Sequence, residues 1–180
     1  LVVSEMGISV SLFIAAQNGH EEMAKMRVVV GKADVDKAKT IGTTPLFIAA
    51  HQGHEELAKM LVVVGKADVD KAKTDTGSTP LFIAAQNGHE ELAKMLVVVG
   101  KADVDKAKTI GTTPLFIAAH QGHEEQANML VVVGKPAVDK AHSDPATTPP
   151  SLSAHNALSD HADTLVHVAT YDIHMRLRPT

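Results

Sequence analysis

One stretch returns along the chain almost word for word, and this constrains the fold more than any other feature. Residues 42–74 read GTTPLFIAAHQGHEELAKMLVVVGKADVDKAKT; the same text recurs at 77–109 and again from Gly111, with a worn copy ahead of it. The Gly-His pairs Gly19-His20, Gly53-His54, Gly88-His89 and Gly122-His123 mark the step, which is 34, 35 and 34 residues. The longer step comes from one extra residue in Thr74-Asp75-Thr76-Gly77. Near-copies at this spacing mean units that cannot bury their apolar faces alone and must stack, so the fold is a solenoid.

Each unit reads as two short helices and an extended loop. Thr44 is placed to cap a helix that Pro45 opens, since Thr accepts from a free N–H and Pro needs none at the first position. Leu46, Phe47, Ile48, Ala49 and Ala50 give a mostly buried helix whose alanines admit a close neighbour, and Gly53 ends it. Glu55 and Glu56 put carboxylates at the positive end of a second helix. Leu57, Met60, Leu61 and Val64 fall at i, i+3, i+4 and i+7, one apolar face. Gly65 is expected to stop that helix, and Ala67-Asp68-Val69-Asp70 to run extended into a turn, a hairpin-like loop.

This pattern resembles the ankyrin repeat, whose signature T-P-L-H-x-A at about 33 residues is met here by Thr44-Pro45-Leu46-Phe47-Ile48-Ala49-Ala50, then Gly53-His54, Gly65 and Ala67-Asp68-Val69-Asp70. Two departures stand out. Phe47 takes the place of the family's His, which replaces a Thr-to-His hydrogen bond by an apolar contact. Lys66 follows the helix-ending glycine like an insertion of one residue. Tetratricopeptide repeats share the period, but they call for large aromatics, and the chain has no Trp and one Tyr.

The expected architecture is an all-α, ankyrin-like solenoid of about five repeats forming one domain over residues 1–180. The boundaries fall near 7–40, 41–75, 76–109 and 110–144, with a degenerate capping repeat at 145–180. The first copy has lost its Thr-Pro to Val10-Ser11 and carries Arg27 where later copies have Leu61, Leu96 and Leu130. A charge at a packed position is costly unless it reaches water, so Arg27 reads as part of a capping surface. Repeat four drifts through Gln126, Asn128 and Pro136-Ala137. In the tail, a shift of 35 residues lays Thr147-Thr148-Pro149 on Thr112-Thr113-Pro114 and Leu165-Val166 on Leu130-Val131. A second register, starting at Thr164 and ending at His174, needs an insertion of 17 residues, and the first is preferred. Leu1-Val2-Val3 reads either as the end of an earlier second helix, as in a fragment, or as a chance apolar start.

The chain's 180 residues are 44% hydrophobic and 21% charged with a net charge of −4, which offers no nucleic-acid footprint. Cysteine is absent, so there is no disulfide framework and no thiol nucleophile; a cytoplasmic location is expected. No apolar run reaches the ~18 residues of a membrane span. His20, His54, His89 and His123 recur once per repeat, about 10 Å apart if the helices stack at ordinary distances, too far to share an ion with bonds of ~2 Å. His51 with His54, and His120 with His123, are parted by a helix-ending glycine. Glu55-Glu56 recurs in every copy, which suits a helix start better than an acid/base pair. There is no nucleophile elbow and no phosphate loop. Lys66 and Lys71 are expected on a solvated face. Triple valines such as Val62-Val63-Val64 either pack in the stack or leave an apolar stripe.

No catalytic residue, cofactor or metal is therefore expected, and an enzyme is not. The resemblance implies a protein-binding scaffold whose partner lies on a concave face made by loop tips and first helices. By position, the first helices offer Gln17-Asn18, His51, Gln52, Gln86, Asn87, His120 and Gln121; the loop tips offer Lys39, Thr43, Lys73, Ser78, Lys108 and Thr112. The partner would be another protein, with no nucleic acid and no membrane insertion, and the chain a monomer. A structural spacer, or a piece of a larger ankyrin-containing enzyme or channel, is the alternative.

Overall fold

The computed structural model describes residues 5–109 and 111–134. They form eight α-helices with no strand among them: α1 Glu5–Asn18, α2 Glu21–Val29, α3 Pro45–Gln52, α4 Glu55–Val63, α5 Pro80–Gln86, α6 Glu90–Val98, α7 Pro114–His120 and α8 Glu124–Gly134. The helices pair within each repeat, as α1 with α2 through to α7 with α8. Successive first helices pack on one another, and so do successive second helices, which makes a stack two helices deep. The fifth repeat expected at 145–180, with both of its registers, lies outside the described residues, as do Leu1-Val2-Val3, Ile110 and Pro136-Ala137.

The local signals act as their chemistry demands. Thr44, Thr79 and Thr113 accept from the backbone N–H of Phe47, Phe82 and Phe116 at 3.1, 3.1 and 3.2 Å, each with Pro at the first helical position. Thr44 and Thr79 are fully buried, so these caps satisfy N–H groups that water cannot reach. Where Val10-Ser11 replaces Thr-Pro there is nothing to fix the start, and α1 runs back to Glu5, 14 residues against 7 or 8 in the other first helices.

The core is a ladder of equivalent side chains. Leu12, Leu46 and Leu81 from the first helices meet Leu57, Leu61, Leu92, Leu96 and Leu130 from the second, with paired alanines between them. Each fully buried Leu contributes roughly 1.5–3 kcal/mol. Val64 does not join this face as its spacing predicts. Val62 is half-buried and Val97 buried, while Val63, Val64, Val98 and Val99 stay exposed, so the triple valines leave a stripe at the helix ends.

Helices α2, α4 and α6 end at Val29, Val63 and Val98, ahead of Gly31, Gly65 and Gly100. Gly65 is not left-handed; Lys66 is, at φ 58, as are Lys32 and Lys101 at 49 and 62. Gly65 is needed for room, because a Cβ there would lie 2.7 Å from the Leu61 carbonyl oxygen and 2.9 Å from Val35 of the preceding loop. The added lysine thus carries the turn at a cost of about 1–2 kcal/mol for an L side chain. Arg27 does not simply reach water. It is half-buried, and its Nε is enclosed without a hydrogen-bond partner among the described residues. Gln126 at the Leu57 position is buried and donates from Nε2 to the carbonyls of Ala84 and His89, at 3.3 and 3.4 Å.

Candidate partner-binding face

The first helices end side by side, and the turn histidines tie each to the next. Gly19, Gly53, Gly88 and Gly122 all have φ between 72 and 78, which glycine adopts without strain. The following histidine then lies against the previous repeat. His54 Nε2 donates to the Gln17 carbonyl at 3.3 Å, His89 to the His51 carbonyl at 3.2 Å and His123 to the Gln86 carbonyl at 3.2 Å. Asn87 Nδ2 donates to the same His51 carbonyl at 2.9 Å. These bonds anchor the backbone of the positions Gln17, His51 and Gln86. The side chains of His51, Gln52, Asn87, His120 and Gln121 are exposed, and that of Gln86 is half-buried. His120 stacks on Phe116 with ring centres 6.0 Å apart.

The loop tips are less available than their polarity suggests. Ser78 and Thr112 are buried and do not offer side chains to a partner. They precede the capping Thr, where the chain turns inward; the Thr76 hydroxyl donates to the Ser78 hydroxyl at 3.0 Å. Thr43, the equivalent position one repeat earlier, is half-buried. Lys39 is exposed, but its Nζ lies 4.0 Å from the ring centre of Phe13. Lys73 and Lys108 sit over Phe47 and Phe82 at 5.7 and 5.0 Å. Each lysine thus folds back over the phenylalanine of its own repeat, an attraction of roughly 0.5–1 kcal/mol at such sites. Lys73 also pairs with Asp75 at 3.2 Å. This ladder was missed from sequence. Its signal was the Phe that replaces the family's His, together with a lysine at a constant separation in each copy.

A second ladder runs through the loops. The Asp36 carboxylate accepts the Asp68 N–H, and the Asp70 carboxylate accepts the Asp103 N–H, at 3.0 and 3.1 Å. Lys71 and Lys106 donate to the Asp36 and Asp70 carbonyls at 3.0 and 2.7 Å. Lys71 is therefore a link between repeats and not a solvated lysine; Lys66 is exposed as expected.

Burial pushes the Asp36 and Asp70 carboxyls above the ordinary 3.8, outweighing the N–H donors and the nearby lysines. A raised folded-state pKa means that the folded chain holds protons the unfolded chain has released. The resulting stabilisation is full below pH 3.8 and is lost as pH rises through the folded-state values. Asn at both positions keeps an acceptor oxygen without the charge. The melting temperature of the Asp36→Asn, Asp70→Asn variant should gain on that of the parent between about pH 4 and neutrality. A gain that shrinks with rising pH would show the carboxylates to be net stabilising.

Among the described residues no group of three or more His, Asp or Glu side chains is placed to hold a metal ion. No helix of the described residues is long and apolar enough to cross a membrane. The arrangement presents polar, hydrogen-bonding side chains along a row of packed helix ends. A family model described as ankyrin repeats in three copies matches the chain at residues 12–108 and 63–144. No curated protein matches the sequence.

Proposed function

The chain belongs to the ankyrin repeat family, and from that premise we propose that it is a non-enzymatic scaffold whose first-helix and loop face holds another protein. Ankyrin repeats are in general protein–protein interaction modules, and the family is typically non-enzymatic. The observation that carries the reading is the row of exposed polar side chains, His51, Gln52, Asn87, His120 and Gln121, on a backbone fixed by cross-repeat hydrogen bonds. A rigid row of this kind loses little freedom when a partner docks. The row corresponds to the concave face of the family. It lacks Trp, Tyr and Arg, which commonly dominate binding energy, so affinity rests on many small contacts.

Replacing His51, Gln52, Gln86 and Gln121 together by Ala should leave the melting curve within about 1 kcal/mol of the parent, since three of these side chains are exposed and Gln86 is only half-buried. Asn87 and His120 belong in a separate variant, because one ties α5 to α3 and the other stacks on Phe116. Calorimetric titration of a partner into the fourfold variant should show a loss of affinity of at least tenfold, about 1.4 kcal/mol. Unchanged affinity, with binding abolished by Val63→Glu, would place the partner on the valine stripe.

A further inference from the structure

The two ends of the described array are the two halves of a junction that the chain builds three times within itself. At each internal junction a histidine ring rests on a glycine. A Cβ on Gly19, Gly53 or Gly88 would lie 2.8, 2.7 or 2.7 Å from Cε1 of His54, His89 or His123. Gly122 offers the same left-handed turn, with nothing among the described residues within 4 Å of its Cβ position. Around it Leu115, Phe116 and Ala119 are half-buried, whereas Leu46 and Leu81, Phe47 and Phe82, Ala50 and Ala85 are buried by the repeat that follows.

The opposite end carries the complement. His20 is exposed and has no preceding repeat among the described residues. Ile14 and Met26 stand where Ile48 and Met60 stand one repeat later. Met26 is 60% exposed against 7% for Met60, and Ile14 is 44% exposed where Ile48 is half-buried. Val10 and Met23 are exposed beside them.

We propose that this chain associates with a second copy of itself head to tail, with His20, Ile14 and Met26 of one copy seated on the Gly122 end of the next. A second copy is the occupant the residues favour, because His20, Ile14 and Met26 are identical in type to the side chains that fill this seat inside the chain. Two differences make the contact weaker than an internal junction. Arg27 replaces Leu61, and Ile8 already fills the space at Gly31 that a preceding loop valine fills at Gly65. A head-to-tail contact leaves a free half at each end, so copies add in a row instead of closing as a two-fold dimer.

Sedimentation of the full chain over a range of concentrations tests this. The average mass should rise with concentration beyond that of two chains. Two variants each block one half. Ile14→Glu with Met26→Glu changes exposed side chains only, and Gly122→Asn puts a side chain into the seat while tolerating the left-handed turn. Each should stay monomeric alone, with an unchanged helical spectrum. Mixed in equal amounts they should form a species of twice the chain mass and no larger. Variants that still associate singly would move the contact elsewhere, and a mixture that stays monomeric would exclude head-to-tail pairing. A full chain that is monomeric at every concentration would overturn the proposal and assign the Gly122 end to the chain's own residues beyond 134 or to a different protein.

Discussion

Leu96→Ala should lower the unfolding free energy by about 2–5 kcal/mol. Leu96 is fully buried on α6, which packs against α4 on one side and α8 on the other. Truncation removes contacts with its own repeat and leaves a cavity that the neighbours cannot close without shifting their own ladders. In a linear array stability is close to a sum of repeat and interface terms, so damage at the centre weakens two interfaces at once. Urea unfolding followed by helical signal measures the loss. A change under about 1 kcal/mol would mean that the centre of the stack is not close-packed.

Gly53→Ala should cost more than Gly122→Ala, although both residues have the same φ of 78 and 77. An L side chain in that conformation costs about 1–2 kcal/mol at either site. At Gly53 the added methyl would also meet the His89 ring at 2.7 Å, while at Gly122 it meets nothing within 4 Å among the described residues. Pushing the ring away costs on the order of a further 1–3 kcal/mol. The ring shift would also disturb the bond from His89 to the His51 carbonyl. Thermal melts of the two variants side by side give the difference. Equal losses would mean that the histidine does not hold the repeats together.

Most of the fold was legible because the repeat carries its own punctuation. Thr44 with Pro45, and Gly53 with His54, mark helix ends by local chemistry; the Gly-His pair returns in all four described copies and the Thr-Pro pair in all but the first. What the sequence did not disclose depends on contacts between copies. Gly65 reads as a stop signal, yet its role is to admit Val35 from the preceding loop, and the left-handed turn falls on Lys66. Lys71 reads as a solvated charge, yet it spans to the Asp36 carbonyl. Val64 fits a helical stripe but lies beyond the packed turns.

The candidate face divides in the same way. The exposure of His51, Gln52 and Gln121 follows from helix position alone. The burial of Ser78 and Thr112 follows from where the loop turns in, and the capture of Lys39, Lys73 and Lys108 by phenylalanine rings follows from the loop folding back over the first helix of the same repeat. Polarity on a loop therefore overstated what the tips can offer.

Site-specific photo-cross-linking to a bound partner tests the scaffold reading most directly, with the reactive group placed at Gln52 in one sample and at Val98 in another. Both side chains are exposed, one at the end of a first helix and one on the valine stripe of a second. Binding on the first-helix and loop face yields an adduct from Gln52 and none from Val98. An adduct from Val98 with none from Gln52 would contradict it.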